Sequence, residues 1–121
     1  MEAKSDFNTK FKSRTKKFAV EIIRFYSNNC KKSEELRVIG KQLLRSGTSV
    51  ASNFRAFTRG RSEAEKFSKL CIVVEEVDET QFWFELIEEA ELITPQIFKE
   101  LKEETDELVK VFTTLKSRMK N

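Results

Sequence analysis

The chain has 121 residues, 36% of them charged, with a formal net charge of +3, three Gly, one Pro, two Cys and no His. That length is the common size of one domain, here 1–121, and a chain of this size buries roughly two thirds of the surface its unfolded form exposes. The absence of His excludes di-iron bundles built on Glu-x-x-His, Ser-His and Cys-His nucleophiles and helical ribonucleases that depend on an Arg and His motif, and three dispersed glycines supply no phosphate-cradling loop.

The elements read as four helices with no strands, because helix breakers are scarce and Glu, Lys and Leu abound. In the first, Phe11, Thr15, Phe18, Ile22 and Phe25 alternate four- and three-residue steps, the seam of a helix lying nearly parallel to its neighbours. It is expected from about residue 6 to 27, where Asn28 and Asn29 offer a stop. The second, about 34–59, starts after Ser33 as N-cap and carries Leu36, Gly40, Leu43, Gly47, Val50, Phe54 and Phe57 on one seam. Each Gly there costs about 1 kcal/mol against Ala, so the return expected is close approach of a neighbouring backbone or large side chain.

Gly60 ends that helix, and Ser62 with Glu65 forms a capping box that opens the third, about 63–93. Its apolar side is expected to shift, with Phe67, Leu70, Cys71, Val74 and Val77 on one face and Trp83, Leu86, Ile87 and Ala90 on another. Thr94 and Pro95 form an N-cap and first-turn pair for the fourth, about 95–119, with Leu101, Thr105, Leu108, Phe112, Leu115 and Met119 as its seam. Short joints force successive helices antiparallel, so the expected fold is an all-α, antiparallel up-down-up-down four-helix bundle.

Charge is polarised along the chain: residues 1–61 hold fifteen Lys/Arg against five Asp/Glu, and residues 62–121 hold eight against fifteen. The halves either neutralise each other by packing side by side or leave the basic half to face phosphate. Outside its seam the second helix displays Arg45, Ser46, Thr48, Ser49, Ser52, Asn53, Arg55 and Arg59, where an ordinary exposed helix carries long Glu and Lys. Ser46, Ser49 and Asn53 read as structural, whereas Arg45, Arg55 and Arg59 suit either ion pairs to Glu76, Glu79 or Glu85 or contacts to phosphate oxygens. With Lys10, Lys12, Arg14, Lys16 and Lys17 of the first helix they are the candidate nucleic-acid-binding residues.

The carboxylates Glu75, Glu76, Asp78, Glu79 and Glu85 have no spacing that demands a metal, and no catalytic residue or cofactor is expected. Phe82, Trp83 and Phe84 span about 200° of helix surface, more than one core buries easily; with Ile87 they are the candidate oligomer interface. Two Cys without CxxC spacing, a charged first twenty residues and no long apolar run lead to the expectation of a cytoplasmic protein with no membrane partner and no evident small-molecule substrate.

The order Leu43, Arg45-Ser46, Ser49, Asn53, then Arg61-Ser62, Glu65, Phe67, then Glu76-Val77-Asp78-Glu79-Thr80 and Phe82-Trp83-Phe84-Glu85-Leu86 resembles the 23S rRNA intervening-sequence protein family, also called four-helix bundle proteins. Phe18 to Tyr26 is similar to the family's first helix, so the resemblance covers nearly the whole chain. It implies a bacterial, non-enzymatic four-helix bundle that forms a homo-oligomer, typically a pentamer. Some relatives are encoded inside insertions of the large ribosomal RNA gene, and a related branch resembles retroelement accessory proteins that contact nucleic acid. In the family the Asn is commonly followed by an apolar residue, any residue, Glu and Gly; here Phe54-Arg55-Ala56-Phe57 follows Asn53, so the acid and the glycine are missing. Two functions follow as expectations: a non-catalytic oligomer that binds RNA through basic residues, or a protein-interaction scaffold whose basic residues serve ion pairs within and between subunits.

Overall fold

In the computed structural model, which describes the backbone of residues 2–119 and the side chains of residues 6–119, four helices follow one another: α1 (Glu2–Asn29), α2 (Glu34–Thr58), α3 (Glu63–Glu89) and α4 (Pro95–Met119). They form the antiparallel bundle expected from the short joints. Each helix packs against the next in the chain, and α4 closes the bundle more lightly onto α1. Two aromatic clusters fix the alignment. At one end Phe84 stacks on Phe98 with centroids 5.7 Å apart, and Phe25 lies 5.6 Å and 6.1 Å from the two. At the other end Phe54 meets Phe112 at 5.2 Å and Phe57 at 5.4 Å, while Phe11 meets Phe112 at 5.8 Å.

The boundaries follow local chemistry. Ser33 accepts the Leu36 N–H at 3.2 Å and Ser62 accepts the Glu65 N–H at 3.1 Å, so both serine caps form as read from the sequence. The Glu65 carboxylate reaches back to the Arg61 N–H at 2.7 Å, one residue before the cap itself. α1 runs past its expected stop because the Asn29 side chain donates to the Phe25 carbonyl at 3.2 Å, along the helix it was expected to end. α3 stops at Glu89, four residues short of expectation. There Glu91 adopts a left-handed φ of 56°, and the Glu91 and Leu92 N–H groups return to the Glu88 and Ile87 carbonyls at 3.1 and 3.0 Å. This is a Schellman ending without its usual glycine.

The apolar side of α3 does not shift. Its buried residues are Leu70, Val73, Val77, Thr80, Phe84 and Ile87, a single run of three- and four-residue steps. Cys71, Val74, Trp83 and Leu86 only flank it, half-buried. On α4, Phe98 joins the core through a local departure from helical geometry (φ −117°, ψ 18°), extending the seam one step before Leu101. The α2 seam is buried as expected, and its glycines pack closely against side chains of α1 and of the joint that follows it. A Cβ at Gly40 would meet Cys30 Cβ at 2.6 Å, and one at Gly47 would meet Ile22 Cγ1 at 2.8 Å. Among the described residues no helix is long and apolar enough to cross a membrane.

Candidate nucleic-acid interface

Six of the candidate basic residues separate into two groups, two turned toward an acidic helix and four toward the seam between α1 and α2. Arg14 turns to α4, where its Nε and Nη2 donate to the two carboxylate oxygens of Glu104 at 2.7 and 2.8 Å. That fork raises the guanidinium pKa above its ordinary value, and the group also lies 5.1 Å from the Phe11 ring. Arg45 turns to α3, donating to Glu76 at 3.2 Å and to Glu79. Its hydrogen bond to Glu79 raises the Arg45 pKa and holds the Glu79 carboxyl below the usual range, helped by the Trp83 Nε1–H, which donates to Glu79 at 3.0 Å. Arg14 and Arg45, both candidates for nucleic-acid contact, are thus committed to ion pairs. Glu76 and Glu79 are likewise taken, as partners of an arginine.

Lys12, Lys16, Arg55 and Arg59 form the other group. They line one open groove of about 480 Å³ between α1 and α2, together with Thr48, Ala51 and Ser52. The geometry follows from helical spacing: Lys12 and Lys16 are one turn apart on α1, and Thr48, Ser52, Arg55 and Arg59 share a stripe on α2. Small residues at 48, 51 and 52 leave the floor open, and the long cations form its walls. No carboxylate lines the groove, and among the described residues none of the four cations has an acidic partner within 4.0 Å. Two lysines one turn apart repel by a few tenths of a kcal/mol when unpaired, so this arrangement costs stability unless an anion joins it. Lys10 and Lys17 are exposed and lie outside the groove.

Thr48 and Ser52 were legible only as unusual small polar residues, not as parts of a site. The hint was their spacing, since 48, 52, 55 and 59 repeat the four- and three-residue steps of a single face. Ser46 makes a bond between helices as the structural reading expects, whereas Asn53 bonds within its own helix. Ser46 is fully buried with its Oγ 2.8 Å from Thr80 Oγ1, linking α2 to α3, and the Asn53 amide donates to the Ser49 carbonyl at 3.0 Å.

The expected interface needs correction at two positions. Phe84 and Ile87 are both 0% exposed, inside the core of a single subunit, so neither presents surface to a neighbour. The turn that places Thr80 inward carries both with it. Phe82 stays 47% exposed, packed edge-on to a half-buried Trp83 at 5.1 Å.

A profile of the family described as 23S rRNA-intervening sequence protein matches residues 8–114, a stretch that contains the groove and both ion-paired arginines. The chain belongs to this family. A crystal structure of a protein with unknown function from the S23 ribosomal protein family of Bacteroides thetaiotaomicron is similar throughout. It has 30% identity and a TM-score of 0.78, over 91% of this chain and 97% of that one. No curated protein matches. The chain departs from the pattern noted above where Ala56 stands in place of an acid, next to Arg55 in the groove wall. Where the pattern has Gly, Phe57 is buried 5.4 Å from the Phe54 ring.

Proposed function

We propose that this protein is a non-catalytic bundle that binds the phosphate backbone of RNA in the α1–α2 groove, working as a homo-oligomer. One observation carries the reading: four cations line one groove and, among the described residues, have no acidic partner within 4.0 Å, while Arg14 and Arg45 on other faces are paired. Phosphate supplies the missing counter-charge, and the open groove admits a strand running along it. The family's name gives RNA as the polyanion to test first.

The test is the salt dependence of binding to a structured RNA. Four phosphate contacts predict a slope of log K against log salt of about −3 to −4, or a loss of about a hundredfold from about 50 to about 200 mM salt. Arg55→Ala or Arg59→Ala should reduce the slope by about one, as loss of one phosphate contact does. Arg14→Ala and Arg45→Ala should leave the slope unchanged. The reading fails if the wild-type protein shows no salt-sensitive RNA binding, or if the paired arginines matter as much as the groove ones.

Phe82 favours a second role as a surface for self-association, because a large aromatic left 47% exposed beside Trp83 finds cover between subunits. Phe82→Lys should then shift the sedimentation profile toward the monomer without unfolding the bundle. A wild-type protein that is monomeric at micromolar concentration removes this part of the proposal.

A further inference from the structure

The groove holds two hydroxyls that donate back into their own helix. Thr48 Oγ1 donates to the Leu44 carbonyl at 2.8 Å, and Ser52 Oγ donates to the Ser49 carbonyl at 3.3 Å. Both bonds run within α2, and while they hold, the oxygens turn lone pairs to the groove, the short Thr48 bond keeping its proton more firmly than the longer Ser52 one. A phosphate oxygen is an acceptor too and gains nothing from them unless an intrahelical bond is broken. The group that does match is a hydroxyl donor lying among phosphates. Among the described residues no aromatic side chain lines the groove for a base to stack on. Its chemistry therefore addresses the backbone, with cations for phosphate and acceptors for sugar.

Resting on the groove reading above, we propose that Thr48 and Ser52 let this protein distinguish RNA from DNA by accepting hydrogen bonds from ribose 2′-hydroxyls while Lys12, Lys16, Arg55 and Arg59 hold the flanking phosphates. The two oxygens sit one helical turn apart along the floor of the groove, so a strand following α2 presents successive sugars to them. Deoxyribose lacks the donor and would leave both oxygens unmatched beside it. The 2′-OH is the feature by which a site separates the two nucleic acids.

The probes are a short RNA duplex and the same duplex with 2′-fluoro sugars, which keeps the A-form shape and the phosphates but removes the donor. Binding is followed by fluorescence anisotropy across a salt series. The wild-type protein is expected to prefer the RNA about five- to tenfold, the worth of one or two hydrogen bonds. Thr48→Val with Ser52→Ala should erase that preference while leaving the salt slope as it was. The exposed Ser52→Ala change alone should erase part of it, which keeps the test open if the double variant is unstable by circular dichroism. Equal wild-type affinity for the two duplexes, with a steep salt dependence, overturns this inference and leaves the phosphate groove standing. Loss of preference accompanied by a smaller slope also overturns it, because the hydroxyls would then be serving phosphate. Absence of any salt-sensitive binding overturns the groove reading and this inference together.

Discussion

Replacing Gly47 by Ala tests how tightly α1 and α2 are locked beneath the groove. The added Cβ would lie 2.8 Å from Ile22 Cγ1, 3.0 Å from Cγ2 and 3.3 Å from Cβ, all closer than ordinary van der Waals contact. Ile22 is 0% exposed and cannot swing into solvent, so either its rotamer changes or the two helices separate. Overpacking of this kind costs about 1–3 kcal/mol. Ala is the better helix former by about 1 kcal/mol, which offsets part of the strain. The net expectation is a loss of about 1 kcal/mol, within a range of about 0–2 kcal/mol, read as a lower urea midpoint at unchanged m-value. Ile22→Ala supplies the internal control, for it removes the opposing Cγ atoms. The double variant should therefore be more stable than the sum of the two single losses by about 1 kcal/mol. If Gly47→Ala instead stabilises the protein by the full helix-propensity difference, the glycine is not there for close approach and the packing argument is wrong.

Glu91 holds a left-handed φ of 56° where a Schellman ending favours Gly, so Glu91→Gly should stabilise the protein by about 1 kcal/mol in urea melts; no gain would mean the turn is unstrained. The Glu79 carboxyl is held below its ordinary range, first by Arg45, so its contribution to stability is fully present above the unfolded glutamate pKa and lost as pH falls through the lower folded value. Arg45→Gln should accordingly flatten the decline in unfolding midpoint between about pH 5 and about pH 3, and an unchanged profile would show that the pair does not couple to folding. Burial pushes the Cys30 thiol up to about 11, so at neutral pH it should resist a thiolate-directed reagent until denaturant is added. Rapid labelling of Cys30 in the native protein would show that the α1–α2 end opens freely.

Legibility differed from helix to helix for physical reasons. α2 could be read almost residue by residue, because its seam is apolar or Gly and the rest of its surface is polar. α3 misled because apolar residues extend around it: Cys71, Val74, Trp83 and Leu86 sit beside the true seam, and the seam itself contains Thr80. Polarity argued against burying Thr80, but its hydroxyl is satisfied by Ser46 and the Glu76 carbonyl, each at 2.8 Å. Placing Thr80 inward is what carries Phe84 and Ile87 into the core and leaves Phe82 outside. The end of α3 was hidden for a similar reason, since Glu91 takes a conformation that sequence rules assign to glycine. At the site, residue type nominated the cations but could not sort them. Arg45 and Arg55 look alike in sequence, and only the position of Glu76 and Glu79 across the helix pair separates them.

That sorting follows from chain order combined with the bundle topology. Most cations lie in the first half of the chain and most acids in the second, and an up-down-up-down bundle places α1 beside α2 and α3 beside α4. A basic residue turned toward a helix of the acidic half meets a carboxylate, as Arg14 does at Glu104 and Arg45 at Glu76. The basic residues turned toward the seam between α1 and α2 meet another basic helix, and among the described residues they have no carboxylate within 4.0 Å. The unneutralised groove is therefore the expected product of pairing two like-charged neighbours. Low-dielectric walls on both sides concentrate the resulting field in the groove. The same polarity that could have been spent wholly on holding the bundle together is instead divided: Arg14 fastens α1 to α4 and Arg45 fastens α2 to α3, while Lys12, Lys16, Arg55 and Arg59 gather in one groove with no acidic partner within 4.0 Å among the described residues.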